Sequence, residues 1–188
     1  MTDVTQILSQ IEDGDPSAAE QLLPLVYDEL RKLAAAKLAN EKPGQTLQAT
    51  ALVHDAYIRL VDIEKAQHWD SRGHFFAAAA EAMRRILVQE ARKRARIKHG
   101  GSVRRCELHA VEIVAPATPE ETLAVDEALA KLELVSSSAA ELVKLRYFAG
   151  MTIPEAAEAL GISPRKSNQL WAYARAWLLA ELQLTAHE

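Results

Sequence analysis

The sequence predicts an all-α fold: two small helical domains joined by a flexible linker, the second a four-helix domain ending in a helix-turn-helix. Apolar residues recur at helical spacing along most of the chain, beginning with Val4, Ile7, Leu8 and Ile11. Aromatic residues make up 5% of a chain that is 49% hydrophobic, so its cores are built mainly from small aliphatic side chains, which favours helices. The stretch from Gly100 to Pro119 lacks periodicity and contains Gly and Pro, which indicates a linker.

The first half contains four predicted helices. Gly14 ends the first, and Asp15 followed by Pro16 starts the second, because Asp can cap a helix and Pro tolerates its first position. The second helix runs to about residue 40, the third covers about 47–62 and the fourth about 74–98. Their predicted inward residues are Leu22, Val26, Leu30, Leu33, Leu52, Val53, Ala56, Tyr57, Leu60, Phe75, Ala79, Met83, Ile86 and Leu87.

Two capping patterns mark the starts of helices in the second half. Thr118 to Glu121 and Thr152 to Glu155 each read as a capping box with Pro at the first helical position. Between the helices that they start, a further helix covers about 137–148, and the last helix runs from about 164 to 182. The predicted inward residues of the helix after Thr118 are Val125, Ala128, Leu129 and Leu132.

The segment from Ile153 to Leu170 has the pattern of a helix-turn-helix. Ala157 is small enough for two helices to approach, and Gly161 supplies a turn that often requires a positive φ. The second helix of such a pair presents its N-terminal part to the major groove. The side chains there that can contact phosphates or base edges are Arg165, Lys166, Asn168 and Gln169. An ordinary helical hairpin is the alternative.

Charge is strongly segregated along the chain. The net charge is −4, yet Arg84 to Arg105 contain nine Lys or Arg and one acid, a local charge of +8 that leaves −12 for the remainder. Arg85, Arg92 and Arg96 fall on one outer face, opposite Met83. Because such charges repel one another without a polyanion, this helix indicates nucleic-acid binding, and a merely solvated face is the alternative.

Several other side chains have a structural and a functional interpretation. Trp69, Phe75 and Phe76 are candidates for stacking on unpaired bases, but core packing is favoured for the two Phe. Core packing is also expected for Trp171 and Trp177. A solvated acidic face is expected for Glu120, Glu121, Asp126, Glu127 and Glu133.

Signals for catalysis are weak. His54 and Asp55 are sequence neighbours, which do not face each other on a helix, and the chain has no phosphate-cradling glycine loop or nucleophile elbow. A zinc site at His99, Cys106 and His109 would have three ligands in a loop and is disfavoured. We expect no enzyme activity, cofactor or metal.

The expected location is the cytoplasm. The single cysteine excludes an intramolecular disulfide and fits a reducing compartment. The longest apolar run, Phe75 to Ala80, is far shorter than a membrane span, and the N-terminus lacks a signal-peptide pattern.

Three stretches in this order resemble the extracytoplasmic-function (ECF) sigma factors of bacterial RNA polymerase. Ala51 to Leu60 resembles the helix that docks on the polymerase clamp. Phe75 to Lys93 resembles the helix that melts and reads the −10 promoter element. Val143 to Ser163 resembles the domain that reads the −35 element. Two further details, Phe75 to Arg85 and Trp171 to Trp177, resemble a planctomycete-type branch of the family.

The resemblance implies domain bounds and roles. It implies a clamp- and −10-binding domain over 1–99, a linker over 100–118 and a −35-binding domain over 119–188. Its implied partners are the polymerase core, through clamp and flap, and promoter DNA, with an anti-sigma factor as an optional partner and no membrane. The implied clamp residues are His54, Asp55 and Arg59. The implied −10 residues are Trp69, Arg84, Arg85, Arg92, Lys93 and Arg96, and the implied −35 residues are Arg165, Lys166, Asn168, Gln169 and Arg175.

The chain departs from the family pattern at three points. Ala78 stands where the melting helix usually has Trp, Ser167 where an apolar residue anchors the recognition helix, and Leu170 where a basic residue is usual. Two other functions stay open on the sequence: a helix-turn-helix regulator that binds DNA without polymerase, and a sigma-like decoy that binds protein alone.

Overall fold

The computed structural model describes residues 6–7, 10, 13, 15–38, 49–61, 72–97 and 118–185, and all regular structure within them is helical. The helices of the first half are α1 (Pro16–Leu38), α2 (Ala49–Val61) and α3 (Arg72–Ile97). Those of the second half are α4 (Pro119–Val135), α5 (Ser137–Val143), a π-helical segment (Lys144–Phe148), α6 (Ile153–Ala159) and α7 (Pro164–Thr185). The all-α prediction is confirmed.

In the first half, α1 packs on α2 and α2 packs on α3. The predicted inward residues are buried, apart from Tyr57, which is partly buried, and Leu33, whose side chain lies outside the description. The predicted Asp15 cap is present: the Ser17 backbone N–H and Oγ donate to Asp15 Oδ1 at 2.9 and 2.8 Å. These hydrogen bonds hold the pKa of Asp15 below its ordinary value. Of the predicted first helix, residues 6, 7 and 10 are described and helical, and Ile7 is buried.

Both predicted capping boxes are formed in the second half. The Glu121 N–H donates to Thr118 Oγ1 at 3.2 Å, and the Thr118 N–H donates to Glu121 Oε2 at 2.8 Å. Thr152 and Glu155 exchange the same two bonds, at 3.4 and 2.7 Å. Each exchange satisfies two backbone groups that a helix start leaves without intrahelical partners.

The predicted helix over 137–148 is divided in the structure. It is α-helical to Val143 and continues as a π-helical segment, after which the Ala149 N–H donates to the Lys144 carbonyl at 3.2 Å. Leu145, Tyr147 and Phe148 of this segment are all buried. The apolar pattern of the sequence does not reveal this change of helix type.

The described helices share one core. Helix α3 packs on α2 and also on α4, the π-helical segment and α6, and buried apolar side chains form one connected cluster from Ile7 to Leu182. At Gly73, an added Cβ would lie 2.1 Å from the Ala159 carbonyl oxygen, so α3 and α6 approach as closely as a glycine allows. Most of the predicted linker lies outside the described residues, and the division into two domains stays a prediction.

Candidate nucleic-acid interface

One outer face of α3 carries the exposed basic side chains. Arg85 is 72% exposed and Lys93 is 59% exposed, and Arg92 and Arg96 are exposed as well. Met83, on the opposite side, is 1% exposed. The basic face predicted from the spacing is therefore present, and Lys93 pairs on it with Glu90 at 2.7 Å.

A pocket of about 410 Å³ lies where this face meets its neighbours. Four guanidinium groups line it: Arg59 from α2, and Arg84, Arg85 and Arg92 from α3. Two acidic residues, Glu81 and Asp126, line the same pocket, as do Val88 and Gln89. Guanidinium groups converging from two helices can bind the oxygens of a phosphate backbone.

Arg84 differs from Arg85 and Lys93, which form ion pairs within α3, because its side chain is mostly buried and also pairs with a carboxylate of α4. Its side chain is 18% exposed, and Nε and Nη2 lie 2.7 and 2.6 Å from Asp126 Oδ1. Nη1 donates to Glu81 Oε1 at 3.0 Å. Burial lowers the pKa of Arg84, but the two carboxylates outweigh burial and raise it above its ordinary value.

Glu81 connects Arg84 to a second cation. Its carboxylate accepts hydrogen bonds from Arg84 and Arg85 and lies 3.3 Å from Lys144 Nζ, in the π-helical segment. Burial raises the pKa of the Glu81 carboxyl, but the charges of Arg84 and Lys144 and the arginine hydrogen bonds outweigh it, so the pKa lies below its ordinary value. Lys144 also donates to Glu133 at 2.8 Å.

The exposed face of α2 holds the three residues that the resemblance assigns to the clamp. His54, Asp55 and Arg59 are exposed, and the His54 ring meets Tyr27 edge-on at 5.8 Å. Ile58 is 64% exposed on the same face, a residue that sequence reasoning missed. Two features of the sequence could have identified Ile58 as part of this face. It lies four positions after His54 and three after Asp55, and it is not among the predicted inward residues.

The helix-turn-helix prediction is confirmed in its geometry. Gly161 has φ +62°, and the Ile162 N–H donates to the Ala157 carbonyl at 3.0 Å. Ala157 and Ser167 are buried between α6 and α7, and Ser167 Oγ lies 3.5 Å from the Ile153 carbonyl. Leu170 is partly buried against the core.

Four of the five residues predicted to contact the −35 element lie in the first turns of α7. Arg165, Lys166, Asn168 and Gln169 are exposed, and Arg175 is partly buried. Asn168 Nδ2 donates to the Pro164 carbonyl at 2.9 Å, which orients the amide within the first turn. Polar side chains therefore extend from one exposed helix start, as contact with a DNA groove requires.

The expected core aromatics are in the core. Phe75 and Phe76 are buried and meet edge to face at 5.6 Å. Trp171 is buried beneath the Arg146 guanidinium, 4.8 Å from its ring centroid, and Trp177 packs partly buried against the core. Trp69, the remaining stacking candidate, lies outside the described residues.

The prediction of a solvated acidic face is wrong for part of its set. Asp126 is 15% exposed and pairs with Arg84, and Glu121 is the partly buried capping-box residue. Glu120, Glu127 and Glu133 are exposed as expected, although Glu133 also pairs with Lys144. Sequence reasoning treated the acids of α4 as one class because it could not see that α3 lies against this helix.

The part of the chain that the structure describes contains neither a metal-binding cluster nor a helix that could span a membrane. Over the helical ranges that the structure describes, no three His, Cys, Asp or Glu side chains are grouped to hold an ion. The disfavoured zinc trio lies outside those ranges. Among the described helices, each is too short or too polar to span a bilayer.

The chain matches a known protein family. No curated protein matches the chain. The family model described as ECF sigma factor matches residues 1–184, nearly the full length, whereas the planctomycete-type branch stays a prediction. With its helical fold, basic helix and helix-turn-helix, the chain belongs to the ECF sigma factor family, DNA-binding proteins that act with core RNA polymerase in transcription initiation.

Proposed function

We propose that this sigma factor docks on the polymerase clamp through α2, contacts the −10 element through the basic face of α3, reads the −35 element through α7, and promotes strand separation. The observation that carries the proposal is the pocket in which Arg59, Arg84, Arg85 and Arg92 converge beside the exposed face of α3. A cluster of arginines next to a basic helix face favours a polyanion such as the phosphate backbone over an uncharged ligand.

The pocket indicates that the exposed face of α2 contributes to two binding surfaces, one for DNA and one for the clamp. Arg59 lines the same pocket as the arginines of α3, so we assign it to DNA rather than to the clamp. His54 and Asp55 remain the clamp residues, and exposed Ile58 adds an apolar contact between them and the arginine pocket. An apolar side chain within a polar rim is the usual composition of a protein-binding surface.

The −35 contact is weak by itself. The recognition turn presents two cations, Arg165 and Lys166, and residues 119–188 carry six Lys or Arg against ten Asp or Glu. Since phosphate contacts supply most of the affinity for DNA, the free second half binds a promoter poorly. Polymerase holds the second half through the flap, and the resulting high effective concentration at the promoter compensates for the weak DNA affinity. Because the protein acts with polymerase, we assign its action to the cytoplasm.

The test is run-off transcription with purified core polymerase and a genomic promoter library. Transcripts from discrete start sites that share −35 and −10 sequences support the proposal. Core binding without transcripts supports the decoy. DNA binding without core binding supports the stand-alone regulator.

A charge-matched pair of double variants tests the role of α3. We expect R85A/R92A to retain core binding but to lose open-complex formation. We also expect the magnitude of the slope of log affinity against log salt concentration to fall by about two, because each lost phosphate contact removes about 0.9. R31A/K32A removes two exposed cations from α1 and serves as the control. Equal open-complex formation by the two variants would contradict the assignment.

A further inference from the structure

Arg146 connects three parts of the second half through one side chain. It lies in the π-helical segment, and its Nη1 donates to the Met151 carbonyl at 2.7 Å, in the turn before α6. Its guanidinium carbon also lies 4.8 Å from the centroid of the Trp171 ring in α7. A planar guanidinium group can donate hydrogen bonds and stack on an aromatic face, and Arg146 does both at once.

The turn that accepts this hydrogen bond is itself held in place. Gly150 has φ +74°, which favours glycine, and the Met151 N–H donates to the Leu145 carbonyl at 3.0 Å. Met151 is buried, and the next residue, Thr152, caps α6. The Met151 carbonyl is therefore a fixed acceptor for Arg146 at the start of the helix-turn-helix.

Trp171 lies on the buried side of α7, behind the exposed first turns of that helix. It is buried and follows buried Ser167 by four positions, which places both residues on one side of the helix. Gln169, two positions before Trp171, is exposed on the other side. A rotation or tilt of α7 that moved the Trp171 ring would therefore also move the polar side chains that face DNA.

The contact between α6 and α7 at Ser167 supplies little apolar anchoring. Ser167 stands where the family places an apolar residue, and its Oγ lies 3.5 Å from the Ile153 carbonyl, which is long for a hydrogen bond. Ala157, also buried there, adds one methyl group. The larger Trp171 ring, one turn further along α7, makes the contact with Arg146 that Ser167 cannot make.

We propose that Arg146 is a positioning residue for recognition of the −35 element. Through the Met151 carbonyl and the Trp171 ring, it fixes the angle at which α7 presents its first turns to the major groove. Base edges are read at a defined geometry, whereas attraction to phosphates depends mainly on charge. Loss of Arg146 therefore lowers the preference for the correct −35 sequence more than the total affinity for DNA. The inference rests on the proposed −35 role of α7.

Substitutions at Arg146 and Trp171 separate positioning from the other roles of an arginine. R146K keeps the positive charge but lacks the planar group that donates to Met151 and stacks on Trp171 together. R146Q removes the charge. W171F keeps an aromatic face, whereas W171L removes it. R31K makes the conservative exchange at an exposed position of α1 and is the matched control.

The first measurement is transcription by the holoenzyme from two promoters that differ in the −35 element alone. One carries the −35 sequence shared by the run-off transcripts, and the other carries a scrambled sequence. We expect R146K and W171L to lower the ratio of the two activities at least about fivefold relative to R31K, since one base contact is worth about that much. W171F should keep most of the ratio. Equal ratios for R146K and R31K would overturn the proposal.

The second measurement is the salt dependence of holoenzyme binding to the matched promoter. If Arg146 acts by position, R146K and R146Q give the same slope of log affinity against log salt concentration. If Arg146 itself binds a phosphate, the slope for R146Q is smaller than that for R146K by about 0.9. The second result would replace positioning with a direct DNA contact.

The third measurement is amide hydrogen exchange of the free, full-length protein, which needs no DNA. We expect R146K to speed exchange in α7 over residues 168–174 and to leave exchange in α4 unchanged. Equal acceleration in both helices would indicate a general loss of stability and would refute a positioning role. Faster exchange confined to α7, without promoter-specific transcription by any variant or by the unaltered chain, would contradict the proposed function and leave the link between Arg146 and α7 standing.

Discussion

Glu81 is the acidic residue on α3 that links the two halves of the molecule. Its carboxylate contacts two arginines of its own helix and Lys144 of the π-helical segment. Burial alone would raise the pKa of this group, yet three neighbouring cations keep it low. The ionised form of Glu81 is therefore favoured by folding, which makes it a source of acid sensitivity.

We predict that E81Q weakens the dependence of stability on pH in the acid range. Because the folded pKa lies below the unfolded value near 4.5, the stabilisation by Glu81 is fully present above that value and is lost as pH falls through the folded pKa. As the pH is lowered from 7 to below 4.5, the midpoint of urea unfolding should fall more steeply for the unaltered chain than for E81Q. Parallel slopes would show that Glu81 contributes no such linkage.

Ser167 shows how a departure from the family pattern is accommodated. A serine stands where the family places an apolar anchor, and it is 0% exposed, with its hydroxyl directed at the Ile153 carbonyl. Together with buried Ala157 it leaves little volume between α6 and α7, so the helices pack closely. The register of the recognition turn is kept, since Lys166 and Asn168 on either side of Ser167 are exposed.

At the scale of elements, α6 depends most on its ends. It has seven residues, too few for a stable helix by propensity alone. Thr152 and Glu155 satisfy its first N–H groups, and Gly161 follows with a positive φ that ends the turn. Both signals are local in sequence, so sequence reasoning found them.

We predict that T152A destabilises the protein by about 0.5–2 kcal/mol, because the side-chain cap of α6 is lost. T152S keeps the hydroxyl that accepts from the Glu155 N–H and should retain most of that stability. Thermal midpoints of the two variants and the unaltered chain measure the effect. Equal losses for T152A and T152S would indicate that the methyl group, rather than the cap, matters.

Three faces of helix α3 differ in what they contact, and the sequence predicted two of them. The inner stripe and the basic face follow from the 3.6-residue period. The third face, from Gly73 through Arg84 to Ala91, meets the second half. Alanines and a glycine give little hydropathy contrast, so the pattern did not distinguish this face from an ordinary helix surface.

At the scale of the whole molecule, the two halves share one hydrophobic cluster. We predict that the full chain unfolds in one cooperative calorimetric transition, since domains with a common core do not melt independently. G73A, which opposes the contact between α3 and α6, should broaden or divide that transition. Two resolved transitions in the unaltered chain would argue that the halves are thermally independent and that their shared core adds little.

The sequence by itself determined most of the helices, their caps and the basic face of α3, because these depend on neighbours within about four residues. Local spacing placed the Arg85 face and the Gly161 turn correctly. Tertiary structure decided the partners of Arg84 and Asp126, since these depend on helices brought together from distant positions. An arginine or an aspartate has the same local pattern whether it faces DNA, water or another helix, and packing selects among them.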